Sequence, residues 1–397
     1  MSEWKTVKLG DISSAIQTGP FGSQLHQSDY SDVGVPVVMP KDIINGCIEV
    51  STIARVESHH VERLSRHKIS EGDILYARRG NVGKCAYTIF AQQGWLCGTG
   101  CLRVTIDKEK ALPKFVFFQL QKLETIGWVE KHAIGATMLN LNTSILSDVP
   151  IDLPPIETQR RIATILSRYD SLIENYQKQI KLLEEAARRL YKEWFIDLRF
   201  PGHENTRIVD GVPEGWERKK LHEIADVVMG SSPKSDFYNN DKQGLPFHQG
   251  VGSYGMRFVD DNVYSTSITR LAEPNSILFS VRAPVGRLNI TKNKIIIGRG
   301  LAAINHKEGF QSFLFYMLKD RFFMDNIIGN GSIFASISKV ELLNQEFIVP
   351  PLKTIKAFEL LASKLDKKIQ GVDNQLRLLA EARDRLLPKL MSGEITI

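Results

Sequence analysis

The chain has 397 residues, of which 43% are hydrophobic and 24% are charged, and its formal net charge at pH 7 is +6. This length predicts two or more domains, and the composition is ordinary for a globular protein. No apolar run is long enough to span a membrane, and residues 1–5 contain no apolar signal core, so we expect a cytoplasmic protein without a membrane partner. The mild positive charge is compatible with a polyanionic partner but does not require one.

The sequence contains two diverged copies of one unit. Matching residues occur in the same order in both halves, and their offset shrinks steadily, as small deletions in surface loops would cause. The matches are mostly glycine, proline and apolar residues, which set turns and core, whereas the polar residues between them differ. One scaffold would therefore present two different surfaces. The matched pairs include Trp4 and Trp216, Arg79 and Arg282, Gly83 and Gly286, Gly98 and Gly298, Gly100 and Gly300, and Pro154-Pro155 and Pro350-Pro351.

Residues 1–152 and 214–348 are predicted to form globular domains. Short apolar runs bounded by turn residues, at 35–39, 73–77 and 294–297, are typical of strands. Segments 113–132 and 310–328 have the apolar spacing of helices. We therefore expect two mixed domains in which strands dominate.

Two long amphipathic helices are predicted at 153–200 and 349–397, with a linker at 201–213 between the first helix and the second domain. Apolar residues recur there every three or four positions, which is the heptad pattern of a coiled coil. Each helix would have about 35–40 residues and a length of roughly 55–60 Å. The paired prolines suit helix starts, where a missing N–H costs nothing. The seam residues are Ile162, Leu166, Tyr169, Ile173, Tyr176, Ile180, Leu183 and Leu190, and Phe358, Leu365, Ile369, Val372, Leu376, Leu379 and Leu386.

A long helix with one apolar seam needs a partner, and the other copy is the simplest one. The chain order of domain, helix, domain, helix then makes the two helices antiparallel. The sequence thus predicts an α+β fold with two mixed, strand-rich domains, two long antiparallel coiled-coil helices that separate them, and a pseudo-two-fold internal repeat. An intermolecular coiled coil is the alternative.

Apparent catalytic motifs fail in their spacing or their flanking residues. Residues 80–84 (Gly-Asn-Val-Gly-Lys) have too few positions between the glycines for a phosphate-binding loop, and Cys85 follows the lysine. A hairpin tip that carries basic residues is the better interpretation. Residues 98–100 (Gly-Thr-Gly) lack the third glycine of a dinucleotide fingerprint. The runs at 153–156 and 349–352 lack the polar and aromatic neighbours of an adenine-methyltransferase motif, and we interpret them as helix starts.

No metal site is predicted. Three cysteines fit no common zinc spacing and match apolar residues in the second copy, so we expect buried structural thiols at Cys85, Cys97 and Cys101. Three histidines lie in a polar stretch without neighbouring ligands, so we expect surface positions for His59, His60 and His67. We also find no catalytic residues with convincing spacing, which favours a binding protein.

Polar and basic residues at predicted loop tips are then the candidates for contact with DNA. Arginine and lysine contact phosphate or guanine, and asparagine and glutamine read adenine. The candidates in the first copy are Ser23, Lys41, Arg78, Arg79, Asn81, Lys84 and Thr99, and those in the second are Ser232, Lys234, Gln249, Arg257, Arg282, Arg287 and Arg299.

Five segments carry a likeness to a known family. They are 18–23 (Thr-Gly-Pro-Phe-Gly-Ser), 154–159 (Pro-Pro-Ile-Glu-Thr-Gln), 194–195 (Trp-Phe), 213–216 (Pro-Glu-Gly-Trp) and 386–394 at the C-terminal end. With these segments in order around a repeat, the chain resembles the specificity subunit of Type I restriction–modification systems over essentially its whole length. The second copy departs from the pattern at 230–233, which lacks the Phe-Gly pair, and at 353–355, which lacks the Glu-Gln pair.

The resemblance implies a non-catalytic subunit with two target-recognition domains, each of which reads one half of a split site in double-stranded DNA. The helix pair would set the spacer between the halves and dock two modification (methyltransferase) subunits, and restriction (translocase and nuclease) subunits would join them. S-adenosylmethionine, ATP and Mg would bind the partner subunits and none of them this chain. The alternative is a non-enzymatic coiled-coil scaffold that tethers two protein-binding domains.

Overall fold

The computed structural model describes residues 4–135, 139–322, 336–395 and 397. The chain divides into two compact units. The first unit is Met1–Asn175 with Leu376–Ile397, and the second unit is Tyr176–Gln375. Each unit therefore contains one globular domain together with a part of each long helix.

The domain of the first unit is built mainly from short strands. Its strands are β1 (Lys5–Lys8), β2 (Ser13–Thr18), β3 (Tyr30–Ser31), β4 (Val35–Val38), β5 (Ile43–Ile44), β6 (Cys47–Ile48), β7 (Ala54–Val56), β8 (Ile74–Ala77), β9 (Cys85–Tyr87), β10 (Leu96–Cys97), β11 (Cys101–Ile106) and β12 (Pro150–Leu153). Its helices are α1 (Ser58–Arg63), α2 (Pro113–Leu120), α3 (Leu123–His132) and α4 (Thr143–Ser147).

The domain of the second unit has the same character. A small hairpin, β13 (Ile208–Val209) with β14 (Val212–Pro213), precedes it. Its strands are β15 (Glu217–Lys220), β16 (Ala225–Met229), β17 (Tyr238–Asn239), β18 (Leu245–His248), β19 (Tyr264–Ser265), β20 (Leu271–Ala272), β21 (Ile277–Ser280), β22 (Leu288–Ile290), β23 (Ile295–Ile297), β24 (Leu301–His306) and β25 (Glu346–Val349). Its helices are α6 (Leu221–Ile224), α7 (Gln311–Phe322) and α8 (Lys339–Leu343).

The repeat in the sequence is also a repeat of sheet topology. The strand order β2-β11-β8-β9 in the first unit corresponds to β16-β24-β21-β22 in the second, and the pair β1-β12 corresponds to β15-β25. The other main sheet has the order β10-β4-β7-β3 in the first unit and β17-β19-β18-β23-β20 in the second. In both units this sheet contains one parallel pair, β4 with β10 and β18 with β23. The expected mixed domains with dominant strands are confirmed.

The long helices are α5 (Ile156–Tyr191), which continues as a π-helical turn over Lys192–Ile196, and α9 (Leu352–Met391). Each begins directly after its proline pair, as predicted. Every predicted seam residue is buried or half-buried. Pro388 lies inside the last turns of α9 and does not end the helix. The helix continues to Met391 because Leu387, Leu390 and Met391 are buried in the core.

Within each unit, an early part of one long helix packs against a late part of the other. In the first unit Ile162 and Leu166 share a core with Leu387 and Leu390. In the second unit the rings of Tyr191 and Trp194 lie 5.8 and 6.0 Å from the ring of Phe358. This is the antiparallel pairing within one chain that the seam predicts. Over the described ranges, no helix combines the length and the apolar content that crossing a membrane needs.

Candidate nucleic-acid interface

Several loops of the first unit leave the sheets at one edge. β2 ends at Thr18, which pairs with Leu102, and β8 ends at Ala77, which pairs with Cys101 at the start of β11. The parallel strands β4 and β10 also end side by side, with Val38 paired to Cys97. Residues 19–23, 39–41, 78–81 and 98–100 therefore lie together, and we call this set the first loop edge.

Two glycines allow the backbones of the first loop edge to touch. A Cβ atom on Gly19 would lie 1.9 Å from the carbonyl oxygen of Gly98, and one on Gly98 would lie 2.5 Å from that of Val38. The Gly19 amide donates to the Cys101 carbonyl at 2.9 Å, and the Gly98 amide donates to the Val38 carbonyl at 2.9 Å. The Gly-Thr-Gly run thus serves close packing of loops.

The second unit repeats this arrangement. A Cβ on Gly230 would lie 2.1 Å from the Gly298 carbonyl oxygen, and the Gly298 amide donates to the His248 carbonyl at 2.8 Å. Residues 230–234, 249–251, 281–284 and 298–300 form the second loop edge. The glycines match between the copies, whereas the polar side chains around them do not.

Four predicted DNA-contacting residues meet on the second loop edge. Ser232, Lys234, Gln249 and Arg299 line one open cleft, together with Asp236. The Ser232 hydroxyl donates to the Gln249 side-chain oxygen at 2.7 Å and accepts from the Arg299 amide at 3.1 Å. These bonds fix the Gln249 side chain in the cleft that the exposed residue Arg299 also lines.

The residue before Gln249 is a buried histidine whose ring is held by hydrogen bonds. His248 is 1% exposed, and its ring nitrogens lie 2.7 Å from the Ser253 hydroxyl and 2.9 Å from the Asp261 carboxylate. Asn293 donates to the other Asp261 oxygen at 2.7 Å. Burial acts to raise the pKa of Asp261, but the hydrogen bonds from His248 and Asn293 outweigh it and hold that pKa below its ordinary value. The ionised carboxylate therefore fixes the imidazole that precedes Gln249.

The predicted hairpin tips also join the loop edges. Residues 78–84 connect the antiparallel strands β8 and β9, so the Gly-Asn-Val-Gly-Lys run is a hairpin loop, as predicted. The Arg78 amide donates to the Gly100 carbonyl at 2.8 Å, and the Val281 amide donates to the Gly300 carbonyl at 2.9 Å. Arg79 and Arg282 are exposed at equivalent positions, where their backbones bridge to Asn140 and Ser336.

Four further candidates of the first copy lie on the first loop edge, whereas Lys84 and the second-copy residue Arg287 line other clefts. Ser23, Lys41 and Asn81 are exposed and Thr99 is half-buried on the first loop edge, and the Lys41 ammonium donates to the Thr52 carbonyl at 3.3 Å. Lys84 lines a different cleft, which it shares with Lys122 and Arg383. Arg287 likewise lines a second cleft of its unit, beside Glu184 and Lys319.

The prediction for Arg257 is wrong. Its residue is 2% exposed, and its guanidinium lies 2.7 Å from Asp366 and 3.5 Å from Glu184, which belong to the two long helices. The sequence pattern marked it as a loop cation, but tertiary packing against the helices encloses it.

The prediction of a surface position for His67 is also wrong. It is 5% exposed, and its Nδ1 donates to the Thr18 carbonyl at 3.1 Å. Burial lowers its pKa below the ordinary value of 6.5.

The predicted buried thiols are confirmed, because Cys85, Cys97 and Cys101 are enclosed. Burial raises the pKa of Cys85 and Cys97 to about 12.

Two exposed residues next to the second loop edge were not among the predicted candidates. Thr269 donates its hydroxyl hydrogen to the Ser231 carbonyl, and the Arg270 carbonyl accepts from the Ile297 amide at 2.9 Å. Both side chains are exposed. The repeat alignment could not have identified them, because Arg270 corresponds to His67, which was not a candidate for DNA contact.

Comparison with known proteins now decides the family. The sequence profile described as the Type I restriction modification DNA specificity domain matches residues 1–185 and again 213–374. The chain belongs to this family. The two matches correspond to the two copies of the repeat.

Relatives in this family span the whole chain. A putative type I restriction enzyme MjaX specificity subunit of Methanocaldococcus jannaschii is 29% identical over 406 residues, covering 100% of this chain and 94% of the relative. The type I restriction enzyme MjaIX specificity subunit of the same organism is 28% identical, with the same coverage. The S subunit of a Type-I restriction-modification system from M. genitalium is 17% identical, with a TM-score of 0.59 over 98% of this chain and 96% of that chain, and it shares the fold.

Proposed function

We propose that this chain is the DNA-specificity subunit of a type I restriction–modification complex, and that each loop edge reads one half of a bipartite DNA site. The observation that carries the proposal is the repeated, glycine-packed loop edge with different polar side chains in its two copies. One framework that displays Ser23, Lys41 and Thr99 in one copy and Ser232, Gln249 and Arg299 in the other suits two different half-sites.

The side chains of the second loop edge match the chemistry of base edges and phosphates. The amide of Gln249 is suited to adenine, because one oxygen and one NH₂ group complement the acceptor and donor of that base. Arg282 and Arg299 are suited to guanine or phosphate, and Lys234 is suited to phosphate. The carboxylate of Asp236 in the same cleft would favour cytosine over guanine, because it can accept a hydrogen bond from the cytosine amino group.

The catalytic groups belong, in this proposal, to partner subunits. Relatives of this chain are named specificity subunits of restriction enzymes. Two modification subunits would dock on the helix pair and supply S-adenosylmethionine, and restriction subunits would supply the ATP- and Mg-dependent steps. A target adenine would be flipped out of the duplex into the methyltransferase, since its N6 atom is unreachable within the stack.

Modified-base sequencing tests this function. The full chain is assembled with its modification subunits, and methylated sites are mapped in a DNA library. We expect one bipartite site with a fixed spacer, and exchange of residues 214–348 for those of a relative should change only one half. A contiguous site, or exchange that alters both halves, would contradict the proposal. Absence of methylation, together with capture of protein partners by both domains, would favour the scaffold alternative.

A further inference from the structure

Three carboxylates of α9 hold the domain of the second unit. Glu359, Asp366 and Asp373 follow one another at heptad spacing, so they share one face of the helix. Glu359 accepts hydrogen bonds from the Ser312 and Phe313 amides at 3.2 and 2.9 Å, in the first turn of α7. A carboxylate is favourable at a helix N-terminus, where the peptide dipoles leave positive charge.

The other two carboxylates bind cations of the domain. Asp373 pairs with Lys292, and both side chains are less than one-fifth exposed. Asp366 accepts from the Arg257 guanidinium at 2.7 Å and from the Tyr316 hydroxyl at 2.9 Å. The domain therefore contacts α9 through three carboxylates spaced seven residues apart.

Arg257 forms ion pairs with both long helices. Its side chain is 1% exposed, with Asp366 of α9 at 2.7 Å and Glu184 of α5 at 3.5 Å. The guanidinium carbon lies 3.5 Å from the centre of the Phe315 ring, so the plane is also held by stacking. A second cation, Lys319, lies 3.6 Å from Glu184.

The first copy lacks this arrangement. By the proline match, the corresponding positions of α5 are Ala163, Asp170 and Gln177. Of these only Asp170 is a carboxylate, and it pairs with Arg383 of the other long helix at 3.2 Å. The three-carboxylate face is therefore a property of the second half of the molecule alone and does not follow from the shared scaffold.

We propose that Arg257 is a positioning residue, which fixes the rotation of the second domain on the long helices and so sets the spacing at which the second half-site is read. A buried ion pair adds little net stability over an apolar contact, but it permits few geometries because every unpaired alternative is costly. A planar guanidinium between carboxylates of two helices constrains direction more than apolar packing does. This inference rests on the proposed function.

The test measures spacer preference. The wild-type complex first defines the two half-sites, and a duplex library then holds both halves constant while the spacer varies by single base pairs. In the Arg257→Met and Asp366→Asn complexes we expect unchanged half-sites, while the preference for the wild-type spacer falls by about tenfold, within the range of coupling free energies. Arg257→Lys should fall between them and wild type.

The matched control is Lys294→Met, which removes a cation of the same domain whose partner, Glu273, lies outside the helices at 2.7 Å. This variant should keep the wild-type preference. If Arg257→Met and Asp366→Asn lower the melting temperature but leave spacer preference unchanged, the residue is only structural and the inference is overturned. Should Arg257→Met not fold, Asp366→Asn and Arg257→Lys decide. A wild-type complex that methylates no bipartite site refutes the proposed function instead.

Discussion

At the scale of single residues, space rather than backbone angle makes glycine necessary at the loop edges. The methyl group of Gly230→Ala would meet the Gly298 carbonyl at 2.1 Å, and neither partner is a flexible side-chain end. We expect this variant to lower the free energy of unfolding by about 1–3 kcal/mol, because two backbones must separate. Urea denaturation measures it. Gly252→Ala is the control, since no atom lies within 4 Å of its Cβ position, and equal losses in both variants would contradict the explanation.

A second residue-scale prediction concerns pH. Burial lowers the pKa of His67 below 6.5, so the unfolded chain takes up a proton more readily than the folded one as pH falls. Stability should therefore decrease from about pH 7.5 to pH 5.5. His67→Asn keeps a donor toward the Thr18 carbonyl but does not titrate, and its stability should depend less on pH. The same slope in both proteins, measured by urea denaturation, would show that other groups cause it.

At the scale of elements, the long helices carry the seam that allows a test of the spacer role. Seven residues added to both α5 and α9, after Asn175 and after Gln375, keep the heptad register and lengthen the pair by about 10 Å, or roughly three base pairs. We expect the spacer to grow while both half-sites stay the same, as read by modified-base sequencing. An equal insertion in the linker at 201–213 should leave the spacer unchanged. Altered half-sites with a constant spacer would refute this role.

At the scale of the whole molecule, the affinity of the assembled complex for DNA should depend on both loop edges. Arg79→Ala and Arg282→Ala should each weaken binding of the assembled complex by about 1–3 kcal/mol if they read a base, and should reduce the salt slope by about one if they contact phosphate. Arg218→Ala is the control, because it removes an exposed arginine of β15 away from the loop edge. Titrations at several salt concentrations measure both quantities, and parity with the control removes that arginine from the interface.

The same scale shows where sequence reasoning succeeded and where it stopped. Heptad spacing and proline pairs predicted both long helices, and matched glycines predicted the repeat, because these signals depend on local periodicity and turn geometry. The meeting of Ser232, Gln249 and Arg299 was not predictable as a cluster, since they lie on separate loops. Arg257 was misassigned because the local sequence around an exposed loop arginine does not differ from that around a buried one. The partners that bury it, Glu184 and Asp366, come from distant parts of the chain.

The sequence by itself determined that this protein has two copies of one scaffold, two long helices with an apolar seam, and no motif whose spacing suits catalysis. Only the tertiary structure decided that the seam pairs within the chain, which polar residues share the loop edges, that His67 is enclosed, and that Arg257 pairs with Asp366 and Glu184. The physical reason is that periodicity is written in neighbouring residues, whereas burial and charge pairing depend on side chains brought together from distant parts of the chain.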